Sequence, residues 1–260
     1  MTTSASEGHR AYYEQDEVWD PSAAGDPQAD ALRAEFVVER VLALGAGPVL
    51  DAGAGNGIIA NRLHTLGVEV VAYDWSETAM AEVQAPKAVG DLRELPFGDR
   101  SFGVVVVSEV LEHIGPEYDL VRAELARVTG AAAIVTVPND EDLVAEAIIC
   151  PACECRSSPF RHVRRFDPAD LADALPGFTA TEVTAFGPAD VRRRAWEAVI
   201  RRDLLRRTPW SPTALCPQCG FSAPGSPAPP ARRRRAAWLV RPLRHRKRRW
   251  LGAVLRRAGS

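Results

Sequence analysis

Two kinds of apolar pattern alternate along the first 190 residues. Residues 30–44, DALRAEFVVERVLAL, carry apolar side chains at helical spacing, and the glycines at 45 and 47 close the segment. PVLDAG then reads as a buried strand, GIIANRLHTLG as a helix ended by Gly67, and VEVVAYD as a second strand. SETAMAEVQA predicts a helix with Ser76 as its N-cap. KAVGD is a short third strand, SFGVVVVSE a fourth, residues 116–128 a helix and AAAIVTVPN a fifth strand. DPADLADAL and FTATEVTAF add one more helix–strand pair. The strands are runs of Val and Ile rather than apolar–polar alternations, so both faces of the sheet are expected to be covered. The fold class is therefore α/β, a doubly wound and mostly parallel sheet with helices on both faces. From about Pro188 the pattern changes to a long Arg-rich helix, followed by a Pro/Ser/Gly/Ala linker at 223–231.

Charge divides the chain at the same place. Residues 1–203 carry 18 basic and 34 acidic side chains, a net of −16, and the remainder carries +14 with no Asp or Glu. An acidic body with a basic arm suggests a polyanionic partner, unless the arm folds back onto the body. In HRKRRWLGAVLRRAG a helix would put Trp250, Leu251, Val254 and Leu255 on one face, ringed by Arg and Lys. Such a tail, residues 232–260, suits an anionic membrane surface on which it lies flat. Nucleic acid would satisfy its charges and leave the apolar face uncovered. The runs VVVV and AAAIV fall far short of the roughly 18 apolar residues of a membrane span. The polar N-terminus has no secretory pattern, so a cytoplasmic protein, peripheral at the inner membrane face, is expected.

The first strand ends in LDAGAGNG. Gly53, Gly55 and Gly57 allow a tight turn close to a ligand, but Ile58 breaks the dinucleotide spacing G-x-G-x-x-G. Asp51 precedes the loop, Asp74 ends the second strand and Asp91 the third. Three carboxylates suit a ligand with a ribose, an amine-bearing base and positive charge, and they repel pyrophosphate. VLDAGAGNG, VVAYD, GDLRELPFGDRSF and VVVVSEVLEHI resemble, in order and spacing, the motifs of class I S-adenosylmethionine-dependent methyltransferases of the type 11 kind, over about residues 30–185. The resemblance implies a Rossmann-like domain at 30–187 behind an N-terminal lid at 1–29. It implies that Asp51, Gly53, Gly55, Asn56 and Gly57 lie against the methionine and ribose of S-adenosylmethionine. Asp74 would hold the ribose hydroxyls, Trp75 would flank the adenine, Asp91 and Leu92 would touch its edge, and Ser108 and Glu109 would lie beneath the sulfonium. Gly103 departs from the family's usual Asp.

For chemistry, Glu109, Glu112 and His113 follow the fourth strand, and His162 lies in FRHVRRF after the fifth. Three readings stand. His113 or His162 is a general base for an oxygen or nitrogen acceptor; or the E-x-x-E-H string, which resembles the metal site of small-RNA terminal and some quinone-ring methyltransferases, holds a divalent cation with His162; or Glu112 and His113 only shape the pocket. Tyr12 and Tyr13 read either as a lid or as packing aromatics. The expected acceptor is a small molecule or a saccharide- or lipid-linked intermediate. An RNA acceptor, or a binding protein without turnover, is the rival.

CPAC at 150–153 and CPQC at 216–219 supply four thiolates in two C-x-x-C knuckles, the usual donor set of a structural zinc. Cys150, Cys153, Cys216 and Cys219 would pin a helical extension, 188–222, onto an insertion at about 149–160. The odd Cys155 could replace Cys153. The C-P-x-C insertion also resembles that of a bacterial methyltransferase subgroup often associated with polysaccharide or glycolipid pathways.

Overall fold

The structure is a computed structural model that describes residues 10–19, 26–192, 210–211, 214–222 and 245–259. Its main sheet has seven strands: β1 (Val49–Ala52), β2 (Val70–Asp74), β3 (Lys87–Val89), β4 (Phe102–Ser108), β5 (Thr129–Pro138), β8 (Phe178–Arg192) and β9 (His245–Arg257). Their order is β3-β2-β1-β4-β5-β9-β8. The first five pair in parallel, and β9 runs antiparallel to both neighbours. A two-stranded hairpin, β6 (Ile148–Ile149) and β7 (Arg156–Ser157), stands apart.

The Val run of β4 shows why both faces are covered. Val104 and Val106 pack with Val37, Val41, Ile59 and Leu63 on one side, while Val105 and Val107 pack with Leu111, Val121, Leu125 and Leu171 on the other. Each such side chain removed from water contributes roughly 1.5–3 kcal/mol. The first long helix starts earlier than its periodicity indicates, at Pro27. Asp26 caps it by accepting from Ala29 N, Pro27 occupies its first turn, and Gly45 ends it in the left-handed conformation at φ 57°. Ser76 does cap the helix after β2, but that helix is a single turn, Glu77–Met80. Gly103 has a packing reason: a Cβ there would lie 1.2 Å from the Ala46 carbonyl oxygen.

The C-terminal reading requires correction. Residues 245–257 are not an amphipathic helix but the strand β9, inserted between β5 and β8. Leu251, Ala253 and Leu255 face the core shared with Val135 and Leu171, while Gly252 meets Phe36 on the opposite face. WLGAVL is an unbroken apolar run, and such a run fits the period of a helix or of a doubly buried strand equally well. The apolar face expected to meet a membrane, Trp250, Leu251, Val254 and Leu255, is inside the protein, while the second apolar group expected around Pro242 lies outside the described residues. Three charges of β9 find partners on the body while Arg246, Arg248 and Arg256 stay exposed: Arg249 meets Asp26 at 3.3 Å, Lys247 meets Asp140, and Arg257 donates to the carbonyls of Ala126, Thr129 and Gly130. The sheet thus extends well beyond the expected domain end at 187, and residues 188–192 continue β8 rather than begin a helix. The rest of the expected helical extension, 193–209, the linker and residues 232–244 lie outside the described residues. No helix among the described residues is long and apolar enough to cross a membrane.

Candidate active site and cysteine cluster

The glycine loop leaves β1 with Gly53, Gly55 and Gly57 at φ 78°, 54° and 76°, a region that costs other residues strain. Tertiary contacts also exclude side chains here, since a Cβ on Gly53 would lie 2.3 Å from Val110 and one on Gly55 2.7 Å from Trp19. Asp74 holds the loop, accepting from Gly55 N and Ser76 N at 2.9 Å each. Asp51 is buried beneath the loop and accepts from Ala60 N at 3.1 Å. Burial pushes its carboxyl up to about 7, against the pull of that amide and of Arg33. Burial likewise raises Asp74, opposed by its amide bonds.

Two cavities flank this loop. One, of about 410 Å³, is lined by Asp74, Trp75, Asp91, Leu92, His113 and Arg161, among others. The second, of about 750 Å³, is lined by Asp51, Asn56, Ser108, Arg33, His162 and Trp250, among others. Gly53, Glu109, Trp19, Tyr13 and His113 line both. Tyr13 bonds His113 Nδ1 at 2.8 Å and lies 6.3 Å from the Trp75 ring, so the N-terminal segment packs against residues that border the two cavities. The Asp91 carboxylate is engaged: burial opposes its charge, but bonds from Arg93 outweigh this and hold it below its usual range.

Past β4, Glu109 adopts φ 59° and a 3-10 turn, Leu111–His113, follows. The His113 and His162 rings approach to 4.7 Å between centroids, bringing together residues 49 positions apart. The backbone explains the approach, because Val163 N and Arg164 N both donate to the Glu112 carbonyl. His162 Nδ1 bonds Glu141 Oε2, and Glu141 is itself buried. Glu109 accepts from Trp250 Nε1 at 3.0 Å, and its other carboxylate oxygen has no hydrogen-bond partner. Glu112 is 1% exposed, and neither of its oxygens has one. Burial first, and then the charge of Glu109, push Glu112 well above the ordinary carboxylate range. One ligand atom from each of Glu112, His113 and His162 falls within a 4.8 Å group.

Several of these participants carried no local sequence signal. Arg33, which donates to Ser108 Oγ at 2.6 Å, is one of many helical arginines. Glu141 and Trp19 belong to no motif, Arg161 is one of three arginines around His162 in FRHVRRF, and Trp250 lies in a run whose basic flanks read as a tail.

The four knuckle cysteines converge. Cys150 Sγ lies 3.7 Å from Cys219 Sγ, Cys153 Sγ lies 3.5 Å from Cys216 Sγ, and all four sulfurs fall within 4.8 Å of one another. A tetrahedron with Zn–S bonds of about 2.3 Å needs sulfurs roughly 3.8 Å apart, whereas a disulfide needs about 2.0 Å. The two knuckles share a backbone pattern. Cys150 N bonds Cys155 O and Glu154 N bonds Cys150 O; Cys216 N bonds Phe221 O and Gly220 N bonds Cys216 O. Glu154, at φ 59°, thereby takes the left-handed position that Gly220 holds at φ 69°. Cys155 is outside the four-sulfur group, and its thiol meets the Arg156 carbonyl.

A methyltransferase domain family matches residues 50–135. A probable S-adenosylmethionine-dependent methyltransferase of Mycolicibacterium smegmatis is 30% identical over 200 residues, which span 70% of this chain and 75% of the relative. The chain belongs to the S-adenosylmethionine-dependent methyltransferases. It also spans 63% of the length of a probable S-adenosylmethionine-dependent methyltransferase of Mycobacterium tuberculosis, at 30% identity over 178 residues covering 63% of this chain. The crystal structure of a SAM-dependent methyltransferase from Archaeoglobus fulgidus matches 92% of this chain and 98% of its own at a TM-score of 0.53 and 14% identity. The matched residues 50–135 include the glycine loop and Asp51, Asp74 and Asp91.

Proposed function

We propose that the protein transfers a methyl group from S-adenosylmethionine to a hydroxyl or amine of a small molecule or a saccharide- or lipid-linked intermediate. The cradle fits the cofactor, with backbone laid open by three left-handed glycines, a buried Asp74 for ribose hydroxyls, Trp75, Asp91 and Leu92 on the adenine side, and ionisable Asp51 and Ser108 toward the sulfonium. When bound, the cofactor supplies a methyl group already activated for in-line displacement. Much of the rate then comes from holding the acceptor in line. The observation that carries the acceptor class is the His162–Glu141 pair beside His113. Glu141 orients the ring so that Nε2 can take the proton a hydroxyl loses as its oxygen forms the new bond to carbon.

A second reading rests on Glu112. A buried carboxylate with no hydrogen-bond partner on either oxygen, 3.8 Å from His113 Nε2, is with His162 the donor chemistry of a divalent cation, which would lower the acceptor hydroxyl's pKa in place of a base. Mg²⁺ or Mn²⁺ titration of the protein separates the two, since only the cation site tightens the metal and loses it in Glu112→Gln.

For the four thiolates we favour a structural zinc, with every coordination position filled by protein and none left for chemistry. The net −16 of residues 1–203 disfavours a nucleic-acid acceptor. Incubation with methyl-labelled cofactor and fractionated cell extract tests the whole reading. Label should enter the small-molecule or lipid fraction and fall about 10²–10⁴-fold in His162→Asn. Label in RNA, or no cofactor binding, would overturn it.

A further inference from the structure

Arg161 has no place in the chemistry above. It is 4% exposed, and it keeps φ 66°, a conformation that costs a non-glycine residue strain. Its Nη1 donates to the Leu215 carbonyl at 3.3 Å, one residue before Cys216 of the second knuckle. Its Nε has no hydrogen-bond partner. Among the described residues no carboxylate forms an ion pair with it, although the neighbouring Arg164 and Arg165 both find partners. It lines the 410 Å³ cavity together with Tyr13, His113, Val163 and Pro217, the last supplied by the knuckle itself.

A buried guanidinium with an unused donor is costly unless a ligand completes it. Burial already disfavours its charge. The other cationic side chain of this cavity, Arg93, is committed to Asp91. Of the carboxylates that line this cavity, Asp91 and Glu117 face Arg93, Asp74 accepts from backbone amides and Glu109 accepts from Trp250. None of them pairs with Arg161, and its planar donor fork suits an added carboxylate or phosphate, which would accept its unused Nε–H.

Building on the methyltransferase reading, we propose that Arg161, positioned by the second cysteine knuckle, recognises an anionic carboxylate or phosphate group of the bound ligand. Such a group has two sources, the acceptor or the amino-acid end of the cofactor. The knuckle then sets selectivity as well as fold, because it holds the arginine through Leu215 and closes the cavity with Pro217.

The test uses the full chain purified with its metal, as wild type, Arg161→Lys and Arg161→Met, with melting curves confirming that each variant folds. Calorimetry first measures S-adenosylhomocysteine and 5′-methylthioadenosine, which lacks the carboxylate. Phenyl phosphate and benzoate are then titrated into protein saturated with S-adenosylhomocysteine. An acceptor anion predicts that phenyl phosphate or benzoate binding falls about ten- to hundredfold in Arg161→Met, the size of a lost charge-assisted hydrogen bond. Arg161→Lys should keep most of it, and S-adenosylhomocysteine affinity should stay within about twofold. A cofactor anion predicts that S-adenosylhomocysteine weakens while 5′-methylthioadenosine does not. If neither probe distinguishes Arg161→Met from wild type, the proposal is overturned. If wild type binds no S-adenosylhomocysteine, the methyltransferase reading fails instead.

Discussion

Asp51 and Asp74 carry opposite lessons about a buried carboxylate. Asp74 has two backbone donors at 2.9 Å, so removing it breaks both the loop's anchor and its proposed ribose contact. Asp74→Ala should weaken S-adenosylmethionine binding by about 1.5–3 kcal/mol, the value of charge-assisted hydrogen bonds, and nicotinamide dinucleotides should not bind either form. Calorimetry decides both points. Asp51 has one backbone donor, and its carboxyl is raised from 3.8 to about 7. The sign follows from where the proton resides. Between these values the native carboxyl stays protonated while the unfolded one ionises, so this group makes the free protein less stable as pH rises from 3.8 to about 7. A bound sulfonium and ammonium favour the ionised form. Cofactor binding near pH 6–7 should therefore release protons. Calorimetry in buffers of different ionisation enthalpy should show the release, and Asp51→Asn should abolish it.

At the scale of elements, β9 decides the most. It supplies the hydrogen-bonding partner of both β5 and β8, and it delivers Trp250 to Glu109. Leu255 is fully buried, so Leu255→Ala should cost about 2–5 kcal/mol in urea unfolding, as large-to-small core changes do. Replacing Trp250 and Leu251 by Ser should lower the melting temperature rather than alter binding to anionic vesicles. A vesicle affinity that drops while the melting temperature holds would restore the detached-tail reading. The parallel strands were legible because their Val runs and flanking glycines leave one interpretation. β9 was not, because its basic flanks resemble a solvated arm. Only pairing with β5 shows that those flanks reach Asp26, Asp140 and backbone carbonyls.

For the whole molecule, the cysteine group ties residue 150 to residue 219 across the chain. Zinc analysis under reducing conditions should find about one equivalent, and Cys216→Ser should lose both the metal and thermal stability, since metal binding at such sites is folding free energy. Within residues 245–257 the basic end meets the acidic body through two ion pairs, Lys247 with Asp140 and Arg249 with Asp26. Sequence alone determined the α/β alternation, the glycine loop with its three acids, and the two knuckles, because each is a local pattern of spacing and residue type. Tertiary structure alone decided the neighbours of β9, the meeting of His113 with His162 and Glu141, and the burial of Arg161 with no carboxylate paired to it among the described residues. Those depend on which distant segments share a buried volume, where an apolar run finds its second face and a charge finds, or lacks, its partner.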